Sequence, residues 1–394
     1  MLCLQIICVL VEFRAALRLE TTDRTEFLFF LSDHGRDYEQ GSMEFDVRFS
    51  HFLNSVAAVE LQNSRVDALW KAVLNDFSDW SPEELDHLCG YRGEMSPSLG
   101  QLVEPSFIGV EHSLVTNVLP EEVSWEHLPS LQNIRNQGHC GSCWAISTAT
   151  ALAAHSELSG FNRTFSTQEL VSCVPNPNHC GGTGGCHGAT AELALAYAMR
   201  YGVATESAVP YAATVTACQS HVTGASIAAD LQEAVSGASA VGVHSSTTRD
   251  VGPSLGMQAW HRLAENRLSP LMLALVHDGP VVSSVAAHKW FLYHTGIFDS
   301  CASVVNHAVV LVGYGQEPHR NLSYWKIQNS WGEFWGEGGR LRLLRHGSEE
   351  GEPCRVDRKP EQGTGCAGGP TEVTVCGECG LFYDNTLPRF RTEQ

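Results

Sequence analysis

Polar and apolar positions alternate with the period of a helix through the first third of the chain. An apolar run at Phe27–Leu31 is followed by residues that recur every three or four positions or multiples of that interval, the spacing of one helix face. These residues are Glu44, Arg48, Phe52, Val59 and Asn63. Ser81-Pro82-Glu83-Glu84-Leu85 predicts a further helix start, because proline is well tolerated in the first turn. Residues 20 to about 95 are therefore predicted to be helical.

A second helical region follows a stretch rich in proline and glycine, residues 93–120, which is typical of a linker. An Ala-rich apolar run begins at Ala145, and Ser166–Leu170 predicts a short helix that ends at Cys173. Another helix is predicted over Ala191–Tyr201, with Gly202 as its stop. Residues 219 to about 260 are rich in Ala, Ser and Gly and are interpreted as a surface insertion or long loop.

The last third of the chain contains β-rich runs bounded by glycine and proline. Strands are predicted at 280–285, 308–314, 324–329, 339–343 and 380–383. A helical half followed by a β half predicts an α+β protein with two lobes and a cleft between them.

Composition and charge narrow the classes of partner. With a net charge of −19 and no long basic block, neither nucleic acid nor an anionic membrane is expected to bind. The apolar stretch Met1–Val11 predicts a signal peptide over residues 1–18, although it lacks a basic start and a clear cleavage site. A wrongly assigned start or a membrane-proximal apolar helix are the alternatives. Two sequons, Asn162-Arg163-Thr164 and Asn321-Leu322-Ser323, are compatible with a secreted glycoprotein.

The 14 cysteines are unevenly placed, and 11 of them lie from Cys140 onward. Five disulfides among these would leave one free thiol, and a thiol kept free in an oxidising compartment is expected to serve chemistry. Gln137-Gly138-His139-Cys140-Gly141-Ser142-Cys143-Trp144 precedes the Ala-rich helix. A thiol at a helix start has a lowered pKa and more of the nucleophilic thiolate. The alternative is that both cysteines of this stretch are structural.

A nucleophilic thiol needs a base, and the base needs a group that orients it. Asn306-His307-Ala308-Val309 has a histidine at the start of a predicted strand, and Gln328-Asn329-Ser330-Trp331-Gly332 has an amide at the end of another. Neighbouring strands would bring Asn329 to one imidazole nitrogen and leave the other facing Cys143. Alternatively, a lone histidine beside a strand is an ordinary core residue.

Together, the motifs around Cys143, His307 and Asn329 resemble the papain family of cysteine peptidases, in the same order along the chain. The resemblance implies a two-lobed papain-like fold, with a helical left lobe and a β-barrel-like right lobe. It implies that Cys143 attacks the scissile carbonyl, that His307 protonates the leaving amine, and that Asn329 orients His307. Trp331 would shield that hydrogen bond, and Gln137 with the Cys143 N–H would form the oxyanion hole.

The same resemblance covers the first third, which is similar to the propeptide of cathepsin L-like zymogens. It implies an inhibitory propeptide over residues 19–119 ahead of a peptidase domain over residues 120–394. Ser55 and Val73 depart from the propeptide pattern, in which Asn and Gly are usual. The propeptide would block the cleft until acid loosens it, and Asp79 is a hypothetical carrier of that pH response.

The resemblance also implies a substrate-binding set. Its members are Gly141, Gly188, Ala189, Thr190, Ser284, Asn306, Trp331 and Asp384, joined by Ala191 and Ala308 in the pocket for the second residue before the scissile bond. Ala189 stands where the family usually has glycine. Asp384 at the pocket floor would favour a basic side chain; the alternative is that Asp384 points to solvent.

Three disulfides are implied by the resemblance: Cys140–Cys186, Cys173–Cys218 and Cys301–Cys379. Cys180, Cys354, Cys366 and Cys376 remain, with three pairings open and Cys354–Cys366 as the short-loop choice. A zinc knuckle formed by His179, Cys180, Cys186 and His187 is the alternative for the Cys/Gly-rich loop. We expect no metal and no cofactor.

The expected function is that of a monomeric cysteine endopeptidase, made as a zymogen and acting on proteins or peptides in a lysosome, in a vacuole or outside the cell. A catalytically silent homologue that binds or stores is the alternative from another class. An exopeptidase would need a loop that plugs the cleft, and residues 219–278 are one candidate for such a loop.

Overall fold

The computed structural model describes residues 23–90, 119–218, 256–317 and 319–390. The expected signal peptide, the linker over 91–118 and residues 219–255 of the expected insertion lie outside the described residues. No helix in the described ranges combines the length and the apolar character needed to cross a membrane.

The first described segment is predominantly helical, as its periodicity predicts. Helix α1 covers residues 23–33, α2 covers Met43–Ser64 and α3 covers Pro82–Leu88, with the short strand β1 at Trp70–Ala72 between α2 and α3. Rings from α1 and α2 pack together, with Phe27 in contact with Phe45 and Phe52. Ser81 caps α3 and Glu84 bonds back to the Ser81 N–H, a complete capping box that explains why the helix begins there.

The left lobe is built around helix α4, Cys143–Leu158. Nearly every side chain of α4 is buried, as expected for a helix that is surrounded by other elements. Helices α5, Thr167–Cys173, and α6, Ala191–Tyr201, pack against it. Both follow the bounds that the sequence predicts; Ser166 caps α5 by accepting from the Glu169 N–H.

The right lobe is a nine-stranded, mainly antiparallel sheet with helix α7, Leu268–His277, on its core. The strands of this sheet after β1 are β2 Val123–Ser124, β3 Met257–Arg262, β4 Val281–Val285, β5 Tyr293–Phe298, β6 His307–Glu317, β7 Leu322–Gln328, β8 Arg340–Arg345 and β11 Asn385–Phe390. The strand order is β1-β5-β8-β7-β6-β4-β11-β3, and β2 pairs with β6. A separate hairpin pairs β9, Cys354–Asp357, with β10, Val373–Cys376.

Short 3₁₀ turns connect these elements at Pro129–Leu131, Glu349–Gly351, Pro360–Gln362 and Glu378–Gly380. The last of them corrects the strand predicted at 380–383. Cys379 and Gly380 have φ angles of 55° and 71°, which a strand does not accommodate, and Cys379 is tied by a disulfide to Cys301. The extended segment begins only at Asn385.

Five disulfides join described residues. Cys140–Cys186, Cys173–Cys218 and Cys301–Cys379 are the pairs that the resemblance implies. The short-loop choice Cys354–Cys366 is wrong, because Cys354 pairs with Cys376 across the β9–β10 hairpin and Cys366 pairs with Cys180. Sequence separation misled here, since hairpin register places Cys354 directly opposite Cys376.

Candidate active site

Cys143 is the first residue of α4 and lies where the left lobe meets the start of β6. Its side chain is buried and accepts hydrogen bonding from the Ala308 N–H and from the helix start at Trp144. Burial outweighs these donors and raises the pKa of the Cys143 thiol to about 11. The lowered pKa expected from the helix start is therefore not found while the propeptide covers the site.

His307 and Asn329 form the pair that the sequence predicts. Val310 of β6 pairs with Gln328 of β7, so Asn329 follows directly beyond this pair on the side where β6 begins at His307. His307 Nε2 lies 2.8 Å from Asn329 Oδ1, and because this oxygen can only accept, Nε2 carries the proton. His307 Nδ1 is buried without a hydrogen-bond partner. Burial lowers the pKa of His307 to about 4, so the imidazole is neutral and Nδ1 is a free acceptor.

Trp331 packs on this pair. Its ring centroid lies 4.9 Å from that of His307, and it also packs on Phe77 of the propeptide segment, Phe291 and Trp335. Trp331 is 4% exposed, and His307 and Asn329 beside it are also buried.

Gln137 is fully buried and its amide has a defined orientation. The Ser330 hydroxyl donates to Gln137 Oε1 at 2.7 Å, which leaves Nε2 to face the cleft. Gln137 Nε2 donates to the backbone oxygen of Leu88 at 2.8 Å. A propeptide carbonyl thus occupies the donor that the resemblance assigns to an oxyanion.

The segment Leu88-Cys89-Gly90 lies in the cleft directly over Cys143. A Cβ built on Gly90 would sit 3.6 Å from Cys143 Sγ and 3.9 Å from the Asn306 oxygen. Cys89 is buried beside Cys143, and these two are the free cysteines among the described residues. The resemblance predicts a propeptide in the cleft but does not single out Cys89 or Leu88, since nothing in their local pattern marks them.

A cavity beside Cys143 brings together most of the predicted substrate-binding residues. Its walls include Ala189, Thr190, Ala191, Ser284, Asn306, His307 and Ala308. Gly141 and Gly188 face the propeptide residue Gly90, and a side chain at either position would collide with it. Gly181 and Gly363 also line the cavity, and neither was predicted. Gly363 belongs to the β9–β10 hairpin, whose relation to the cleft has no local sequence signal.

Asp384 is buried under this cavity and does not point to solvent. Its carboxylate accepts from the Ser284 hydroxyl at 2.6 Å and from Arg262 Nε at 3.1 Å. Glu192 lies 3.6 Å from the same Arg262, and burial next to Asp384 raises the pKa of Glu192 to about 8. Asp384 is therefore part of a charged cluster that also contains the cation Arg262.

The zinc knuckle is not supported by the geometry. Cys180 and Cys186 are each committed to a disulfide, and no group of three or more potential ligands is assembled within the described ranges.

Comparisons with known proteins agree with this geometry. A family model described as papain family cysteine protease matches residues 119–364, and one described as cathepsin propeptide inhibitor domain (I29) matches residues 27–85. Oryzain beta chain of Oryza sativa subsp. japonica is 29% identical over 311 residues, which are 77% of this chain and 58% of that protein. Chymopapain of Carica papaya is 29% identical over 334 residues, 82% of this chain and 81% of that protein.

Among solved structures, digestive procathepsin L 3 of Tenebrio molitor larval midgut superposes with a TM-score of 0.64. The two sequences are 23% identical, and the superposition covers 93% of this chain and 99% of the procathepsin chain. At this identity the similarity shows the fold alone. Because the solved structure is a procathepsin, that fold includes the propeptide.

Proposed function

Because the chain belongs to the papain family of cysteine proteases and carries a propeptide inhibitor domain, we propose that its peptidase chemistry is performed by Cys143, His307, Asn329 and Gln137. The chain is a cysteine endopeptidase made as a zymogen, with its own propeptide as intramolecular inhibitor. Its substrates are proteins or peptides.

One observation carries the assignment of Cys143, His307 and Asn329. His307 donates from Nε2 to Asn329 at 2.8 Å and keeps an unpartnered, buried Nδ1 in the cavity that Cys143 also lines. This is the tautomer that a general base for a thiol requires, and Asn329 fixes it.

The reaction then follows from these atoms once the propeptide has left. The Cys143 proton passes to His307 Nδ1, and the sulfur attacks the substrate carbonyl while Gln137 Nε2 and the Cys143 N–H bind the developing oxyanion. His307 returns the proton to the leaving amine as the C–N bond breaks. Water, deprotonated by the same nitrogen, hydrolyses the thioester and regenerates the thiol.

An active-site epoxide label tests this proposal. The acid-activated enzyme is expected to bond the epoxide covalently at Cys143, with peptide mapping as the measurement, and Cys143→Ser is expected to lose both label and peptidase activity. Cys89→Ser is the matched control, since it removes the other free thiol but should leave the mature enzyme active. An active Cys143→Ser variant would reject the assignment, and an unlabelled, inactive native chain would favour a silent binding protein.

We propose that the propeptide spans residues 19–119 and the peptidase domain residues 120–394, preceded by a signal peptide over 1–18. The matches to residues 27–85 and 119–364 support this division. N-terminal sequencing of acid-activated enzyme is expected to start near Val118–Val123. A start inside residues 143–394 would contradict it.

We propose that the enzyme is monomeric and works in a lysosome, in a vacuole or outside the cell, as a glycoprotein. Five disulfides support an oxidising route of synthesis. Asn162 and Asn321 are both exposed, so each sequon is accessible to glycosylation. Loss of mass on treatment with an N-glycosidase, absent in the Asn162→Gln and Asn321→Gln double variant, is the expected result for material from a eukaryotic secretory host.

We also propose that the pocket above Asp384 favours a basic side chain at the second residue before the scissile bond. Glu265 and Asp384 both pair with Arg262, so the cluster retains negative charge even where Glu192, with its raised pKa, is protonated. Asp384→Asn is expected to lower kcat/KM for an Arg substrate relative to its Leu analogue by roughly tenfold. Equal cleavage of both substrates, unchanged in the variant, would contradict the proposal.

A further inference from the structure

The β9–β10 hairpin carries a connecting segment, residues 358–369, that reaches from one lobe to the other. We call this segment the strap. Its base is fixed in the right lobe, where Cys354–Cys376 closes the hairpin and the Val305 N–H donates to Asp357 Oδ2 at 3.0 Å. Its far side is bonded covalently to the left lobe through Cys180–Cys366.

The strap touches both walls of the cavity beside Cys143. On the right-lobe wall, Gly363 lies so close to Val305 and Asn306 that a Cβ would overlap the Val305 carbonyl. On the left-lobe wall, a Cβ on Gly181 would sit 2.5 Å from the Gly363 oxygen. The Gly181 N–H donates to the Gly365 oxygen at 2.8 Å, so backbone contacts continue along the strap.

These contacts define where the strap crosses the cleft. Asn306 directly precedes His307, and Gly181 and Gly363 share the cavity with Thr190 and Ser284, the walls assigned to the second residue before the scissile bond. A substrate that continues in the direction away from the scissile bond meets the strap just beyond this pocket. Because Cys180–Cys366 bonds the strap to the left lobe and Cys354–Cys376 closes its base in the right lobe, the strap cannot swing aside without breaking Cys180–Cys366 or separating the lobes.

We propose that the strap shortens the cleft on the side that binds the substrate's N-terminal part. The mature enzyme therefore cleaves a bond preceded by two residues faster than the same bond preceded by a longer chain. This inference rests on the proposed function of Cys143 and specifies the substrate class of that site: short peptides, or chains cleaved close to their N-terminus. The preference arises because the longer substrate collides with the strap. It does not require an additional favourable contact with the short substrate.

Two fluorogenic substrates test the inference on the mature enzyme, obtained by acid activation of the full-length zymogen. Both end in Leu-Arg before the reporter, one as acetyl-Leu-Arg and the other as acetyl-Gly-Gly-Leu-Arg, so they differ only in length. The native enzyme is expected to show a kcat/KM for the short substrate roughly tenfold or more above that for the long one. Equal values would overturn the inference.

Two double variants test whether the Cys180–Cys366 disulfide causes the preference for the short substrate. Cys180→Ser with Cys366→Ser frees the strap from the left lobe, and cleavage of the long substrate is expected to rise toward that of the short one. Cys354→Ser with Cys376→Ser removes one disulfide as well but keeps the cross-cleft bond, and it is expected to retain the preference. If both double variants lose the preference equally, the cross-cleft bond is not its cause and the inference fails as stated.

Two further measurements keep the result interpretable. If the Cys180/Cys366 variant does not fold, replacement of residues 359–369 by a short Gly-Ser turn together with Cys180→Ser removes the obstacle by another route, with the same expected gain for the long substrate. Epoxide labelling of Cys143 in every sample separates the two proposals. A labelled enzyme without length preference refutes only the strap, whereas an unlabelled one refutes the proposed catalytic site.

Discussion

At the scale of single residues, the orientation of the Gln137 amide depends on Ser330. An amide side chain has two orientations of nearly equal shape, and only one presents N–H groups to the cleft. The Ser330 hydroxyl donates to Gln137 Oε1 at 2.7 Å and thereby selects the orientation in which Nε2 faces the oxyanion position. Ser330 therefore acts through Gln137 and does not itself need to touch substrate.

Ser330→Ala is expected to lower kcat by roughly tenfold with little change in KM, because the amide can then turn its oxygen toward the developing negative charge. Ser330→Thr retains the hydroxyl and is expected to restore most of the rate. Gln137→Ala should cost about 10²–10³ in kcat, and adding Ser330→Ala to it should cost little more. Additive losses in this steady-state comparison would show that Ser330 acts elsewhere.

The thiol of Cys143 gives a second prediction at this scale. Burial under the propeptide raises its pKa to about 11, so the protonated form dominates in the zymogen and the thiolate fraction grows as pH rises toward that value. Alkylation of Cys143 in the zymogen, followed by peptide mapping, is expected to accelerate about tenfold per pH unit between pH 8 and 10. Removing the propeptide should accelerate it at pH 7 by about 10² or more. A zymogen whose Cys143 reacts as fast as that of the mature enzyme at pH 7 would contradict this.

At the scale of elements, segments of the propeptide are joined by ion pairs whose carboxylates are fully buried (Asp79) or partly buried (Glu84). Asp79 is fully buried and accepts from Arg36 Nε at 3.0 Å and from the Tyr38 hydroxyl at 2.9 Å. Glu84 of α3 binds Arg48 of α2 and the Ser81 N–H. Burial acts to raise the pKa of Glu84, but these bonds outweigh it and hold that pKa below the ordinary value of 4.5.

A carboxylate with a lowered pKa in the closed state stabilises that state above its ordinary pKa and loses this contribution as pH falls through the lowered value. Maturation of the zymogen is therefore expected to accelerate as pH falls below about 4.5. Glu84→Gln should mature faster than the native chain at pH 5–6, as followed by gel densitometry and activity. Glu60→Gln is the control, because Glu60 is an exposed carboxylate on helix α2 of the same propeptide. Equal maturation rates at neutral and acid pH in the native chain would refute a carboxylate switch, including the hypothesis for Asp79.

Elements with local signals were predictable from sequence. Capping residues fixed the starts of α3 and α5, and apolar runs located β4, β6, β7 and β8. The structural features that the sequence did not predict share a different cause. Cys379–Gly380 is bent by a disulfide 78 residues distant in sequence, and the strap is anchored by one that spans 186 residues. No local pattern records such distant constraints, so the motif residues Cys143, His307 and Asn329 were predictable while the Gly363 wall and Cys89 were not.

At the scale of the whole molecule, the propeptide completes the sheet of the right lobe as well as filling the cleft. β1 pairs antiparallel with β5 at the edge of the sheet, and Trp70 packs on Tyr293 and Phe298. The strands approach closely at Gly296, where a Cβ would lie 2.7 Å from the Trp70 Cα. Activation must therefore break sheet hydrogen bonds and expose a strand edge in addition to vacating the cleft.

The exposed edge is measurable by hydrogen exchange. The Ile297 N–H donates to the Leu69 oxygen at 2.9 Å in the zymogen, and this bond is lost when the propeptide leaves. Exchange in peptides covering Tyr293–Phe298 is expected to accelerate by about 10² or more on activation, because the edge then opens without breaking the remaining ladder. Peptides covering Leu322–Gln328 are the internal control, since β7 stays paired with β6 and β8. Unchanged exchange in β5 after the propeptide has been removed would mean that another segment replaces β1 at the edge. The prediction that activation exposes this strand edge would then be wrong.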